Sequence, residues 1–405
     1  MSKWFSKIGP GTLIAAAFIG PGTVTICMLA GVNHGFDLLW AMVFSIIATI
    51  VLQEMAARIG LVTNKGLAEI IRLETSSPIL KIVSIVLVLS AIVIGNAAYE
   101  AGNISGALMG FEAMDVPLKI GEFNLAGLLV GAIAFTLLFI GKYKIIERWL
   151  IALVLLMSIA FLLAAIATGP SIVEILKGMF IPSFPDKGTL TIMGIVGTTV
   201  VPYNLFLHAS LVKEKWEGST HLSDVRKDLY ISISLGGFVS IMIIVAAAAL
   251  HDKGLSVVTA LDMAASLENI LGPMARYVIG FGLFAAGITS AITAPLAAAY
   301  VCTELLDLDR DLKSRAFRSV WIAILGIGVI FSSLGWKPIE VIKYAQLTNG
   351  ILLPVIAGFL LWIVNKRSVM THHRNNNWQN ALGLLILAIT IALGLKSILK
   401  VIAII

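Results

Sequence analysis

The sequence predicts an all-α polytopic membrane protein: two five-helix repeats of opposite orientation, followed by an eleventh transmembrane helix. Three observations carry this reading. Apolar stretches of spanning length recur along the whole chain, two of them are interrupted at matching places, and the interrupted segments, first and sixth in order, cross in opposite directions.

Of the 405 residues, 59% are hydrophobic and 13% charged, with a mean hydropathy of +0.98. A water-soluble domain cannot cover that much apolar surface. Crossing a bilayer takes about 17–25 apolar residues. Eleven segments qualify: 12–32, 38–59, 79–110, 123–141, 148–168, 189–212, 228–250, 274–303, 317–335, 339–364 and 380–404. The third and eighth are long, which calls for tilt or extension beyond the bilayer. Connections are short, so residues 1–405 read as one transmembrane domain, with repeats over 12–168 and 189–364 and the added helix over 380–404.

Composition excludes several classes. The isoelectric point near 9.2 does not signal nucleic acid, because the basic residues fall in short clusters between apolar runs. Cys27 and Cys302 lie inside apolar runs, so neither a structural disulfide nor a metal cluster is expected. The N-terminus does not read as a cleaved signal peptide. No nucleophile–base pair or His-rich metal motif appears, so the chain is not expected to be an enzyme or to need a cofactor.

Orientation follows from the basic residues. With Lys3 and Lys7 inside, the inside connections hold Arg58, Lys65, Arg72, Lys142, Lys144, Arg148, Lys213, Lys215, Arg226 and Lys227. Further along they hold Arg310, Lys313, Arg315, Arg318, Lys366, Arg367 and Arg374, whereas the outside holds mainly Lys119, Lys177, Lys187, Lys253 and Lys337. That asymmetry predicts a cytoplasmic N-terminus, an outside C-terminus and a plasma (inner) membrane location.

The first interruption is Phe18-Ile19-Gly20-Pro21-Gly22-Thr23-Val24-Thr25, in the middle of the first apolar segment. Proline removes a backbone donor and clashes with the preceding turn, and its glycine neighbours add backbone freedom, so a helix cannot run through intact. The second, Gly194-Ile195-Val196-Gly197-Thr198-Thr199-Val200-Val201-Pro202-Tyr203-Asn204, lies in the sixth segment. In lipid, the freed backbone groups need protein or a cavity to satisfy them. Paired breaks in two halves of a chain point to a secondary transporter built from inverted repeats, with substrate held between the half-helix ends.

Polar residues within the segments extend the candidate site. Glu54 and Arg58 are four apart and share one helix face, as a functional pair or an interfacial one. Glu100 lies deep in the third segment, where a carboxyl is costly unless paired or neutral. His208, six residues past Pro202, is a proton-carrier candidate or a core histidine. Gln346, Thr348 and Asn349 on the tenth segment face the site or join helices.

At these residues the chain resembles the Nramp family of proton-coupled divalent-metal transporters, over essentially its whole length. The resemblance rests on Gly9-Pro10-Gly11, on Leu52-Gln53-Glu54-Met55-Ala56-Ala57-Arg58-Ile59-Gly60-Leu61-Val62-Thr63 and on Asn204-Leu205-Phe206-Leu207-His208. Phe284-Ala285-Ala286-Gly287-Ile288-Thr289-Ser290-Ala291-Ile292-Thr293 is similar as well. It implies the fold of the sodium-coupled amino-acid symporters, five plus five inverted helices with an eleventh added.

The metal site departs from the family. Its first-helix motif is Asp-Pro-Gly-Asn, where this chain has Gly20-Pro21-Gly22-Thr23; its sixth-helix motif is Met-Pro-His, where this chain has Val201-Pro202-Tyr203. On the third helix Ala97 stands where the family has an Asp, three residues before Glu100. Glu100, His208 and Gln346 match family positions. Transition metals want carboxylate, imidazole or thioether ligands, and a hard cation still takes one or two carboxylates beside its waters. The ligand loss therefore favours a small organic solute bearing a carboxylate, held at the helix N-termini and by the hydroxyls of Thr23 and Tyr203. It also predicts no useful Mn²⁺ affinity and weak or absent proton coupling.

The substrate-binding candidates are Ala17, Gly20, Gly22, Thr23, Thr198, Val201, Tyr203, Asn204, Gln346 and Asn349. Glu100, His208 and Glu54 are the ion- or proton-coupling candidates. The expected partners are a small solute or ion and the lipid bilayer, not nucleic acid. The alternatives are a divalent-cation (Mn²⁺/Mg²⁺-type) transporter with an unusual hydrated site, and a non-transporting sensor or partner protein.

Overall fold

Proline sets the starts of the central helices. Pro21, Pro78, Pro202 and Pro338 each occupy the first turn of a helix, where a missing N–H costs nothing. The computed structural model describes residues 19–116, 119–120, 123–141, 144–216, 221–251 and 259–402.

The first half of the chain runs α1 (Pro21–His34), α2 (Leu39–Thr63), α3 (Leu67–Glu74) and α4 (Pro78–Ala113). A two-residue antiparallel ribbon, β1 (Lys119–Ile120) with β2 (Phe123–Asn124), leads to α5 (Leu125–Ile140), α6 (Lys144–Ala167) and α7 (Ile172–Phe180). The second half runs α8 (Thr189–Thr199), α9 (Pro202–Lys215), α10 (Leu222–His251), α11 (Ala260–Leu271), α12 (Ala275–Leu306), α13 (Arg315–Ser333) and α14 (Pro338–Asn365). The short α15 (Arg367–Met370) and α16 (Asn377–Ile402) follow.

Among the described residues, nine helical stretches are long and apolar enough to cross a membrane, with α8 and α9 counted together, and α5 is a shorter apolar helix. The protein is an integral membrane protein. The first expected span, 12–32, is described only in part: α1 begins at the break, and residues 12–18, Ala17 and Phe18 among them, lie outside the described residues. Three helices of eight residues or more stand where the sequence suggested plain connections: α3, α7 and α11. Each is amphipathic and too short to span, so hydropathy alone passes over it. Thr259 and Asp262 cap α11 reciprocally, a capping box readable in the sequence only once a helix is suspected.

The core is organised on α4. Small residues let its backbone approach three neighbours, as association within lipid favours. A Cβ on Gly106 would fall 2.1 Å from Pro21 Cβ, and one on Gly110 would fall 2.5 Å from the Gly280 carbonyl. Against α12 the contacts repeat regularly: Gly110 meets Gly280, Asn103 meets Gly287, and Asn96 Nδ2 donates to the Ala294 carbonyl at 2.9 Å. Seven residues down α4 thus match seven up α12, two turns of each antiparallel helix.

Candidate substrate site

A proline starts the helix that follows each expected interruption. In the second, α8 stops at Thr199, and Val200 (φ −96°, ψ 72°) and Val201 (φ −77°, ψ 120°) leave the helical region before Pro202 restarts the helix as α9. In the first, Gly20 (φ −86°, ψ 178°) is the N-cap and Pro21 opens α1. The start of α1 meets the end of α8: the Thr23 and Thr198 hydroxyls share a hydrogen bond of 2.9 Å. A positive helix end therefore faces a negative one.

Gln346 of α14 is wedged between the breaks. A Cβ on Gly22 would lie 2.1 Å from Gln346 Nε2, and one on Gly197 would lie 1.9 Å from the Gln346 carbonyl. Glycine at both positions is what admits α14. Asn349, one turn on, is buried against Gly95 of α4. Thr348 does not face the site; its hydroxyl turns back to the Tyr344 carbonyl.

Thr23, Thr198, Val201, Tyr203, Asn204 and Gln346 are each at most 1% exposed, and Gly20 and Gly22 are buried beside them. Two of their polar atoms have no hydrogen-bond partner among the described residues, Asn204 Oδ1 and Gln346 Oε1, with Asn349 Nδ2 nearby on α14. Buried polar groups are ordinarily paired, so unpaired ones at a helix break mark a place for a ligand. Tyr99 of α4 packs edge-on against Tyr203, with ring centroids 5.4 Å apart.

His208, further along α9, has its Nδ1 2.8 Å from Gln53 Oε1 of α2. An amide oxygen only accepts, so Nδ1 carries the proton and Nε2 keeps a lone pair, unpartnered among the described residues. Glu100 is fully buried on α4; Asn103 Nδ2 donates to its Oε2 at 3.2 Å.

The expected pocket, lined by Gly20, Thr23, Tyr203, Asn204 and Gln346, differs from what forms. Those residues close on one another, and a cavity of about 720 Å³ lies beyond them, between α1, α8 and α14 toward the His34 end. Ile26 and Leu347 form its floor, three residues past Thr23 and one past Gln346. Its walls carry Lys187, Lys337, Lys343 and Glu340. Occlusion by Gln346 between two glycines is the physical reason for the displacement.

The opposite end is sealed by ions. Glu54 accepts from Arg58 Nη2 at 2.9 Å, as the spacing predicts, and from Arg226 Nη2 of α10 at 2.7 Å. Arg58 also donates to the His373 carbonyl and to Asn375 Oδ1, tying α2 to the approach to α16. Glu304 of α12 accepts from Ser210 at 3.0 Å and from Lys213 at 3.2 Å, both on α9. Outside the spans, the Lys366 ammonium beside Glu74 holds that carboxyl below the usual carboxylate range, and Arg72 does the same to Asp307.

Among the described residues, no three His, Cys, Asp or Glu side chains converge as a metal site, and both cysteines are free and buried. The donors at the breaks are neutral amide, hydroxyl and backbone oxygens.

Comparison with known proteins bears on what those donors hold. The family described as natural resistance-associated macrophage protein-like, Nramp, matches residues 11–400. A protein named divalent metal cation transporter MntH from Erwinia tasmaniensis is 29% identical over 401 residues, covering 96% of this chain and 93% of its own. The MntH of Bacillus subtilis is 27% identical over 395 residues, with 96% and 90% covered. Among solved structures, an Eremococcus coleocola manganese transporter superposes with a TM-score of 0.74 at 22% identity, covering 98% of this chain and 87% of that one. MhsT in complex with L-phenylalanine superposes at 0.60 and 17% identity, covering 96% and 98%. These likenesses establish the fold: the symporter-type architecture of paired broken helices.

Proposed function

The chain belongs to the Nramp family, and from that premise we propose that it moves a hard divalent cation, Mg²⁺ or Mn²⁺, across the membrane by alternating access. The cation keeps part of its hydration shell and takes neutral oxygens as its remaining ligands. One observation carries this reading: Asn204 Oδ1 and Gln346 Oε1, both acceptors, are buried at the breaks without a partner among the described residues. Hydrated Mg²⁺ dehydrates reluctantly and is satisfied by few protein oxygens, whereas a softer metal would miss the thioether and carboxylate that Val201 and Gly20 replace. The names of the relatives, divalent metal cation transporters, point the same way.

The carboxylate-bearing solute is the second reading. The lysines of the cavity, Lys187, Lys337 and Lys343, favour it. Lys343 is already paired with Glu340 at 3.0 Å, and the cavity lies outside the breaks, so these charges act on approach rather than on binding. The basic clusters support an N-terminus in the cytoplasm and residence in the plasma membrane.

Calorimetry of the purified protein with Mg²⁺, Mn²⁺ and a panel of small carboxylates separates the readings. Saturable heat with the cations and none with the carboxylates is the expected result; the reverse pattern would favour the organic solute.

A further inference from the structure

We propose that the cavity between α1, α8 and α14 is a binding site for a phosphate monoester, held by Lys187 and Lys337. The cavity measures about 720 Å³ and stands apart from the breaks, with Ile26 and Leu347 between. Among its lining side chains are three lysines, Lys187, Lys337 and Lys343, and one carboxylate, Glu340. Glu340 is already engaged, since Lys343 Nζ lies 3.0 Å from both of its oxygens. Lys187 and Lys337 have no ion-pair partner among the described residues. Two ammoniums thus line one cavity without a counter-charge.

Each of these two lysines stands at a helix start. Lys337 is the N-cap of α14, and Lys187 precedes Gly188, the N-cap of α8; neither start is capped by a side chain. First-turn N–H groups lack intrahelical partners and carry partial positive charge, which adds to the ammoniums. The C-terminal end of α1, with Asn33 and His34 in the cavity wall, offsets one of those two helix ends. The lysines remain the decisive charges.

Charge and size decide the class of ligand. A phosphate monoester carries about −1.5 to −2 on one group at neutral pH, which matches two ammoniums, whereas a single carboxylate matches one. Lysine binds phosphate as a point charge and needs no fork geometry to do so. The volume falls within the range of about 300–1,000 Å³ that organic ligands occupy, more than a bare inorganic ion fills. Apolar side chains of Ile26, Leu29, Leu190 and Ile339 suit a carbon skeleton, and such low-dielectric walls focus the field of the lysines. A water-borne phosphate ester and a phosphatidic acid headgroup offer the same group. Filled, the cavity loses the net positive charge that an approaching cation would otherwise meet. Binding here is independent of the divalent-cation reading, and only the effect on cation entry rests on that reading.

The test is calorimetric titration of the purified full chain in EDTA, at ionic strength held constant with NaCl. One arm uses glycerol 3-phosphate; the other uses phosphatidic acid in mixed micelles. Saturable binding of glycerol 3-phosphate supports the proposal with a water-borne ligand, and saturation by phosphatidic acid alone supports it with a lipid one. Lys187→Gln and Lys337→Gln should each weaken the affinity about 5-fold or more, the worth of one charge about 4 Å away even when screened by water. Glu340→Gln removes a repelling charge and frees Lys343, so it should tighten binding about 5-fold. Lys177→Gln, on α7 and outside the cavity, should leave it unchanged. Absence of saturable binding in both arms would overturn the proposal, as would binding that Lys187→Gln and Lys337→Gln leave intact or that Glu340→Gln weakens. Divalent ions are absent throughout, so failure here leaves the divalent reading standing, and failure of that reading leaves this one standing.

Discussion

Thr23 and Thr198 stand 175 residues apart in sequence, and their hydroxyls meet at 2.9 Å. This contact joins the start of α1 to the end of α8. A buried hydrogen bond of this kind contributes about 1 kcal/mol net. Its larger effect is positional, because it holds two opposite helix ends against the Gln346 wedge. Thr23→Val is expected to lower stability by about 1–2 kcal/mol, read from unfolding in detergent, and to raise the KM for cation uptake.

The two glycines that admit α14 should differ in tolerance. At Gly22 an added methyl meets the end of the Gln346 side chain, which can swing aside; at Gly197 it meets the Gln346 backbone carbonyl, which cannot. Overpacking costs about 1–3 kcal/mol. Gly22→Ala is expected to fold and to lose cation affinity, whereas Gly197→Ala should be the less stable of the two. Comparison of thermal midpoints and of calorimetric affinity checks both halves.

Glu54 neutralises two guanidiniums at the sealed end. Arg58 is only 2% exposed, and removal of one partner from a buried pair costs about 3–5 kcal/mol. Glu54→Gln should therefore be strongly destabilising. Arg226→Ala should cost less, because its side chain is 36% exposed and the Arg58 bond survives. Chemical denaturation of the two variants orders them.

Acid should loosen the tie between α3 and α15. The Glu74 carboxyl lies below its ordinary range because Lys366 hydrogen-bonds to it. A depressed acid stabilises the fold above its unfolded pKa, about 4.3, and that contribution disappears as pH falls through the folded value. The native protein should exceed Glu74→Gln in thermal midpoint at neutral pH, and the difference should close below about pH 4.

Rebuilding the family ligands tests whether the scaffold is retained. Gly20 sits at an N-cap with extended backbone (φ −86°, ψ 178°), a conformation any residue adopts and a position that Asp favours. Gly20→Asp with Thr23→Asn and Val201→Met should raise Mn²⁺ affinity by about 100-fold or more, measured by calorimetry.

Much of this architecture was legible in the sequence. Pro21 and Pro202 declare their breaks because a missing N–H acts locally, and hydropathy finds the long spans for the same reason. Glu54 with Arg58 was legible as an i, i+4 pair. Arg226 as their third member was not, since 172 residues separate it from Glu54 and only the packing of α10 on α2 brings them together. The cavity was misplaced because its position depends on how far α14 enters between Gly22 and Gly197. Glu100 was legible as a costly buried acid, but its packing against Gly328 of α13 follows only from the fold. The amphipathic helices α3, α7 and α11 escape a search tuned to spanning length.

Uptake of Mg²⁺ and Mn²⁺ into proteoliposomes, followed with a lumenal indicator dye, is the most direct measurement. Gln346→Leu serves as the comparison, since it removes the unpaired acceptor while keeping most of the volume wedged between the glycines. Saturable uptake by the native protein, reduced at least about 10-fold in Gln346→Leu, is the predicted result. Liposomes that carry the folded native protein yet take up neither cation faster than empty ones would contradict it.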